Sequence, residues 1–152
     1  MAISLIFLLM GINMTKKSYS ELVQMKTFED RYKYLKLSGS IGSQTFGFDR
    51  YLNQKFYKSL EWKKVRDFVI VRDNGCDLGC PDKPIFGKIL IHHMNPITIE
   101  DISNNPEEIL NPEYLISVSL DTHNAIHYGN ESIFNKYSIE ERCSNDTAPW
   151  KR

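Results

Sequence analysis

The chain carries four histidines, and they fall into two pairs. His92 and His93 are adjacent at the end of the run Lys88-Ile89-Leu90-Ile91, and His123 and His127 are one helical turn apart. Imidazoles at i and i+4 of a helix share a face and can grip a single ion. Neighbours in a strand point to opposite faces, so His92 and His93 do not easily both reach one metal in regular β structure. One can ligate while the other works beside it. Three neutral imidazoles around a divalent ion leave an open position for water or a phosphate oxygen. A fourth imidazole, with an ordinary pKa near neutrality, can take a proton from water. The competing readings are four histidines that only pack or lie on the surface, and a histidine-bound zinc that only staples a small domain.

The elements that must bring these pairs together can be read from patterning. Lys88 to His93 is the strongest strand, and Asn95-Pro96 ends it, because proline cannot donate to a ladder. Cys76-Asp77-Leu78 reads as a short partner strand, with the Gly79–Gly87 loop joining the two into a hairpin. A polar, acidic connection over Glu100–Asn111 and an apolar piece Tyr114-Leu115-Ile116 follow. A short helix over Asp121–Tyr128 then carries the second histidine pair, with Asp121-Thr122 at its cap and Gly129 closing it. Upstream, Asp73-Asn74-Gly75 is a turn that ends a helical region over Tyr51–Arg72. The expected buried face of that region is Phe56, Leu60, Val65, Phe68 and Val69, with Trp62 packed among them. Its exposed face is basic, with Lys58, Lys63, Lys64 and Arg66 prominent, whereas Thr98–Leu115 contains acids and no Lys or Arg. One basic helix on a neutral chain is compatible with docking on phosphate, although a solvated helix face has the same charge pattern.

Before that region, Leu22, Met25, Phe28, Tyr32 and Leu35 recur at helical steps after Ser20. Residues 38–47 are rich in Gly and Ser and read as a linker. Ala2–Ile12 is an uncharged, mainly apolar run, shorter than the roughly 20 residues that span a bilayer. Met14-Thr15-Lys16-Lys17 has the look of an ordinary second start. The expected organisation is therefore an extension over 1–13 outside the fold, a helical arm and linker over 14–47, the main domain over 48–130, and a loosely packed tail over 131–152. No stable membrane association is expected.

At 152 residues, with 41% hydrophobic and 25% charged residues, the chain is long enough to bury a core of ordinary composition. Its formal net charge of zero excludes a global electrostatic argument for nucleic acid or membrane, so any such partner must be met by a local patch. Three cysteines, Cys76, Cys80 and Cys143, do not make a disulfide scaffold and point to a reducing, cytoplasmic setting.

Tandem His-His followed by His-x-x-x-His resembles the HNH, or ββα-metal, endonucleases, above all the colicin-type DNases. Trp62-Lys63-Lys64-Val65-Arg66 and Thr122-His123-Asn124 are similar to words in phage and prophage HNH proteins. The resemblance covers about residues 55–130. It implies an α+β protein with a ββα-metal core behind an N-terminal helical extension, hydrolysing DNA phosphodiester bonds in a bacterial host or for a phage. It makes His92, His123 and His127 the ligands of one divalent ion (Mg, Mn, Ni or Zn) and His93 the general base. Lys58, Lys63, Lys64 and Arg66 would then contact DNA. Where the family has an Asn nine residues before the first helical histidine, this chain has Tyr114, with Asn111 nearby. Either residue is a candidate to support the loop that orients the base. Cys76 and Cys80 lack the Cys-x-x-Cys spacing of relatives with a structural zinc. The alternative is a catalytically inactive protein of the same fold that binds DNA or assists phage packaging.

Overall fold

The computed structural model describes residues 16–37, 50–81 and 83–129. The expected extension over 1–13, the linker over 38–47, the tail over 131–152 and Cys143 lie outside the described residues. Two short helices come first, α1 (Tyr19–Leu22) and α2 (Phe28–Leu35). The sequence pattern reads as one helix here. It divides because the Thr27 hydroxyl accepts from the Asp30 amide at 3.2 Å and starts a new one. The next helical region divides in the same way into α3 (Arg50–Lys58) and α4 (Leu60–Arg72), where the Ser59 side chain caps α4. The Asp73-Asn74-Gly75 turn forms as expected, with Asn74 and Gly75 both in the left-handed region at φ 55° and 65°.

The β structure is mixed with these helices as two small antiparallel pairs, and the pairing differs from the expected hairpin. β1 (Cys76–Asp77) pairs with β2 (Lys83–Pro84), while β3 (Leu90–His93) pairs with β4 (Leu115–Val118). The connection between β3 and β4 contains α5 (Ile99–Asn104), α6 (Pro106–Ile109) and a 3-10 turn (Pro112–Tyr114), so the acidic stretch is largely helical. Thr98 and Asp101 form a reciprocal capping box that starts α5. The chain then enters β4 and α7 (Leu120–Tyr128).

Burial explains the choice of partner. All four residues of β4 are buried, because the β3–β4 ribbon is covered on both faces. On one face Met94, Ile116 and Val118, with Leu90 beside them, pack against Leu22 of α1, Leu35 of α2 and Ile126 of α7. On the other, Leu115 and Ile91 pack against Trp62, Val65 and Val69 of α4. A strand supplying both layers needs apolar residues on both of its faces, which Leu115 on one side and Ile116 and Val118 on the other provide and Cys76-Asp77 lacks. Lys83 and Pro84 are exposed, and a proline suits the short edge pairing that β2 makes.

One expectation about a helix face is corrected here. Leu60 and Phe68 are 62% and 56% exposed, so the buried side of α4 is Trp62 and Val69, with Val65 partly buried beside them. Leu22 of α1 and Leu35 of α2 are fully buried in the core that covers the ribbon. No helix among the described residues is long and apolar enough to cross a membrane.

Candidate metal centre

The strand alternation of the ribbon decides where each histidine of the tandem pair goes. His92 lies opposite Ile116 in the register and shares its face, toward α7. His93 lies opposite Leu115 and shares the face toward α4.

α7 brings the second pair to His92. The Ser119 side chain caps the helix by accepting from the Thr122 amide at 3.2 Å, so the cap stands two residues before the expected Asp121. Gly129, at φ 66°, ends it as expected, its amide donating to the Ala125 carbonyl at 2.9 Å. Between these ends the rings of His123 and His127 come to 4.3 Å, centre to centre. The His92 ring stands 5.5 Å from the first and 5.1 Å from the second. One nitrogen from each of the three lies within 4.8 Å of the others, a group that could hold a metal ion.

The chemistry of this donor set fits an ion. His92 is 3% exposed, and its Nε2 is buried with no hydrogen-bond partner. A buried, unsatisfied nitrogen is costly, and ligation would relieve it. Burial, followed by the proximity of His127 and His123, holds the His92 pKa well below the ordinary histidine value. Burial also lowers those of His123 and His127, the latter with help from His123. All three are therefore kept neutral, the form whose lone pair a divalent cation needs.

His93 is held differently. Its ring stacks on Trp62 at 5.3 Å and 16° between planes. Its Nε2 lies 3.2 Å from the Ile109 carbonyl oxygen. A carbonyl only accepts, so Nε2 carries the proton and Nδ1 is the basic nitrogen. Burial pushes the His93 pKa down to about 4, against the raising effect of that hydrogen bond. Trp62 is thus core, as expected, and also the wall that orients His93.

The other expected site residues are distributed around this ribbon. Lys58, Lys63, Lys64 and Arg66 are exposed on α3 and α4, and Arg66 pairs with Asp67 at 3.3 Å. Asn111 caps the 3-10 turn, its Oδ1 accepting from the Glu113 amide at 3.0 Å, two residues beyond the Ile109 carbonyl. Tyr114 lies under the Lys16 amine, 5.8 Å from its ring centre, and its carbonyl accepts from the Met94 amide at 3.0 Å. Cys76 and Cys80 are free thiols.

Residue types at spacings did not reveal the groups that align the elements. Buried Asp77 accepts from the Ser119 amide at 3.0 Å and from the Thr122 hydroxyl at 2.7 Å, tying β1 to the first turn of α7. Asp73 accepts from the Ser117 amide and from Arg72 Nε, both at 2.7 Å. Arg72 donates onward to the carbonyls of Pro112 and Leu115 at 2.7 Å each, fixing the entry to β4. Only the Ser119-x-x-Thr122 spacing carried a signal, that of a cap. No family model, curated protein or solved structure matches the chain.

Proposed function

We propose that the protein is a metal-dependent endonuclease of the HNH type that hydrolyses DNA phosphodiester bonds, with β3, β4 and α7 as its ββα-metal unit. One observation carries this reading. A buried His92 nitrogen without a partner faces two helical histidines, while the next residue, His93, is turned away with its tautomer set by Ile109.

His92, His123 and His127 would hold the ion, which is Mg, Mn, Ni or Zn by the chemistry of the family resembled. When bound, such an ion polarises the scissile phosphate and stabilises the leaving oxygen. His93 Nδ1 accepts a proton from water, and the oxygen of that water attacks phosphorus. The Ile109 carbonyl stabilises the imidazolium that forms, and Trp62 keeps the ring in place. Lys58, Lys63, Lys64 and Arg66 hold backbone phosphates, so little sequence preference is expected from this surface.

The experiment is incubation of pure protein with supercoiled plasmid and each of the four metals, with and without chelator. Metal-dependent, chelator-sensitive cleavage supports the reading. A second reading is a non-catalytic DNA-binding or packaging accessory of the same fold. The low His93 pKa, which makes Nδ1 a weak base, favours it. Binding of metal and DNA without cleavage by any of the four metals would establish it instead.

A further inference from the structure

The ribbon covers only one side of α4. Trp62 and Val69 are buried against it, whereas Leu60, Phe68 and Val71 are 62%, 56% and 78% exposed. Three large apolar side chains on one side of one helix are more than the scattered exposure of an ordinary surface. At about 100° per residue, Leu60, Lys64, Asp67 and Val71 fall within one arc of roughly 60°, and Phe68 borders it. All four are exposed. Their steps of four, three and four residues are those of a seam that packs against another helix.

Along this seam the order is apolar, positive, negative, apolar, so the seam is complementary to itself when reversed. About a two-fold axis level with the Val65–Arg66 peptide, an antiparallel copy of α4 sets Leu60 beside Val71 and Lys64 beside Asp67, and each pair occurs twice. A parallel copy would set Lys64 on Lys64 and Asp67 on Asp67 instead. Asp67 Oδ1 meets Arg66 at 3.3 Å, and the Asp67 side chain is 70% exposed, which leaves room for a second cation.

We infer that the chain pairs with a second copy of itself through this seam, as an antiparallel two-fold dimer. The inference goes beyond the nuclease reading and does not depend on it. Lys63 and Arg66 stand roughly 70° and 130° round the helix from the middle of the seam and stay clear of it. In the dimer Lys64 turns from phosphate to Asp67 of the second copy, and Lys58, Lys63 and Arg66 are what each copy offers to DNA. A contact of about three turns is small, so the expected dimer is weak, with Kd on the order of 10–100 μM.

The test is sedimentation velocity of the full chain, in chelator and without DNA, over concentrations that bracket this Kd. The wild type should pass from monomer to dimer. Lys64→Asp and Asp67→Lys each place like charges across both polar pairs, so each should raise Kd at least about tenfold. Mixed in equal amounts, the two variants should dimerise with each other as the wild type does with itself, because every cross pair is again opposite in sign. The double variant K64D/D67K should recover the homodimer for the same reason, and either rescue shows that the variants fold. A wild type that stays monomeric throughout overturns the inference, whether the seam is bare or covered by another part of the chain. A dimer that survives both single reversals, or single variants that do not rescue each other, places any contact elsewhere and overturns it too. Plasmid cleavage by a chain that stays monomeric leaves the nuclease reading standing while the dimer fails. A dimer that follows the charge swap but cleaves DNA with no metal does the reverse.

Discussion

The Asp77 carboxylate and the Thr122 hydroxyl, 45 residues apart in the chain, are joined by a buried 2.7 Å hydrogen bond one residue before His123. The same oxygen accepts from the Ser119 amide, and the other accepts from the Gly79 amide at 2.9 Å. One side chain therefore sets the position of the helix that bears two of the three candidate ligands. Asp77→Ala leaves these donors buried without an acceptor, and a loss of about 3 kcal/mol is expected in urea unfolding. Zinc affinity should fall with it, because α7 is no longer held against β1. A change under about 0.5 kcal/mol would mean that water replaces the carboxylate at little cost.

Gly79 tests the same junction from the other side. A Cβ built there would stand 2.2 Å from Thr122 Cγ2, a contact that forces something to shift. Gly79→Ala should weaken metal binding by pushing the first turn of α7 away. Adding Thr122→Ser removes the offending methyl and keeps the hydroxyl, so the double variant should recover most of the loss. Calorimetric titration with zinc checks this. Failure of the second change to rescue would show that Gly79 matters for another reason.

Much of this site was legible in the sequence and much of the frame was not. The histidine spacing, the Asn74-Gly75 turn, the strand end before Pro96 and the Gly129 cap are local features, dictated by φ, donors and periodicity within a few residues. The partner of β3 is not local. Leu115–Val118 lies beyond two helices and a turn, and a hairpin closed by the nearer loop looks equally good until the second apolar layer is seen to need it. Asp77, Asp73 and Arg72 are unremarkable as letters and acquire a role only through partners many residues away. Phe68 follows a helical apolar pattern and is nevertheless exposed, because the helix α4 is apolar around more of its surface than the ribbon can cover.

Acid should destabilise the metal-free protein. The folded-state pKa values of His92, His93, His123 and His127 are all lowered by burial, so the unfolded chain binds protons first. Their contribution is complete above the ordinary value of 6.5 and is lost as pH falls below it, down to about 4 for His93. For His93 alone the lost stability amounts to roughly 3 kcal/mol across that window. Urea midpoints in chelator should therefore fall between pH 7 and pH 4 by more in the wild type than in His93→Ala. Equal falls would place His93 in water.

The basic face of α3 and α4 has its own signature. Replacing Lys63, Lys64 and Arg66 together by Gln should weaken DNA binding on all sequences alike. The dependence of log affinity on log salt should become shallower by about 1 for each phosphate that the variant no longer neutralises. Fluorescence anisotropy at several salt concentrations measures both. An unchanged slope would place the DNA on another surface.

The most direct measurement is a side-by-side assay of His92→Ala and His93→Ala for metal affinity and plasmid cleavage. His93→Ala should bind metal as the wild type does, since the three-histidine group is intact, and cleave on the order of 100-fold more slowly or worse through loss of the base. His92→Ala should lose metal and cleavage together. If His93→Ala empties the metal site while His92→Ala leaves it filled, the assignment of the two faces of β3 is contradicted.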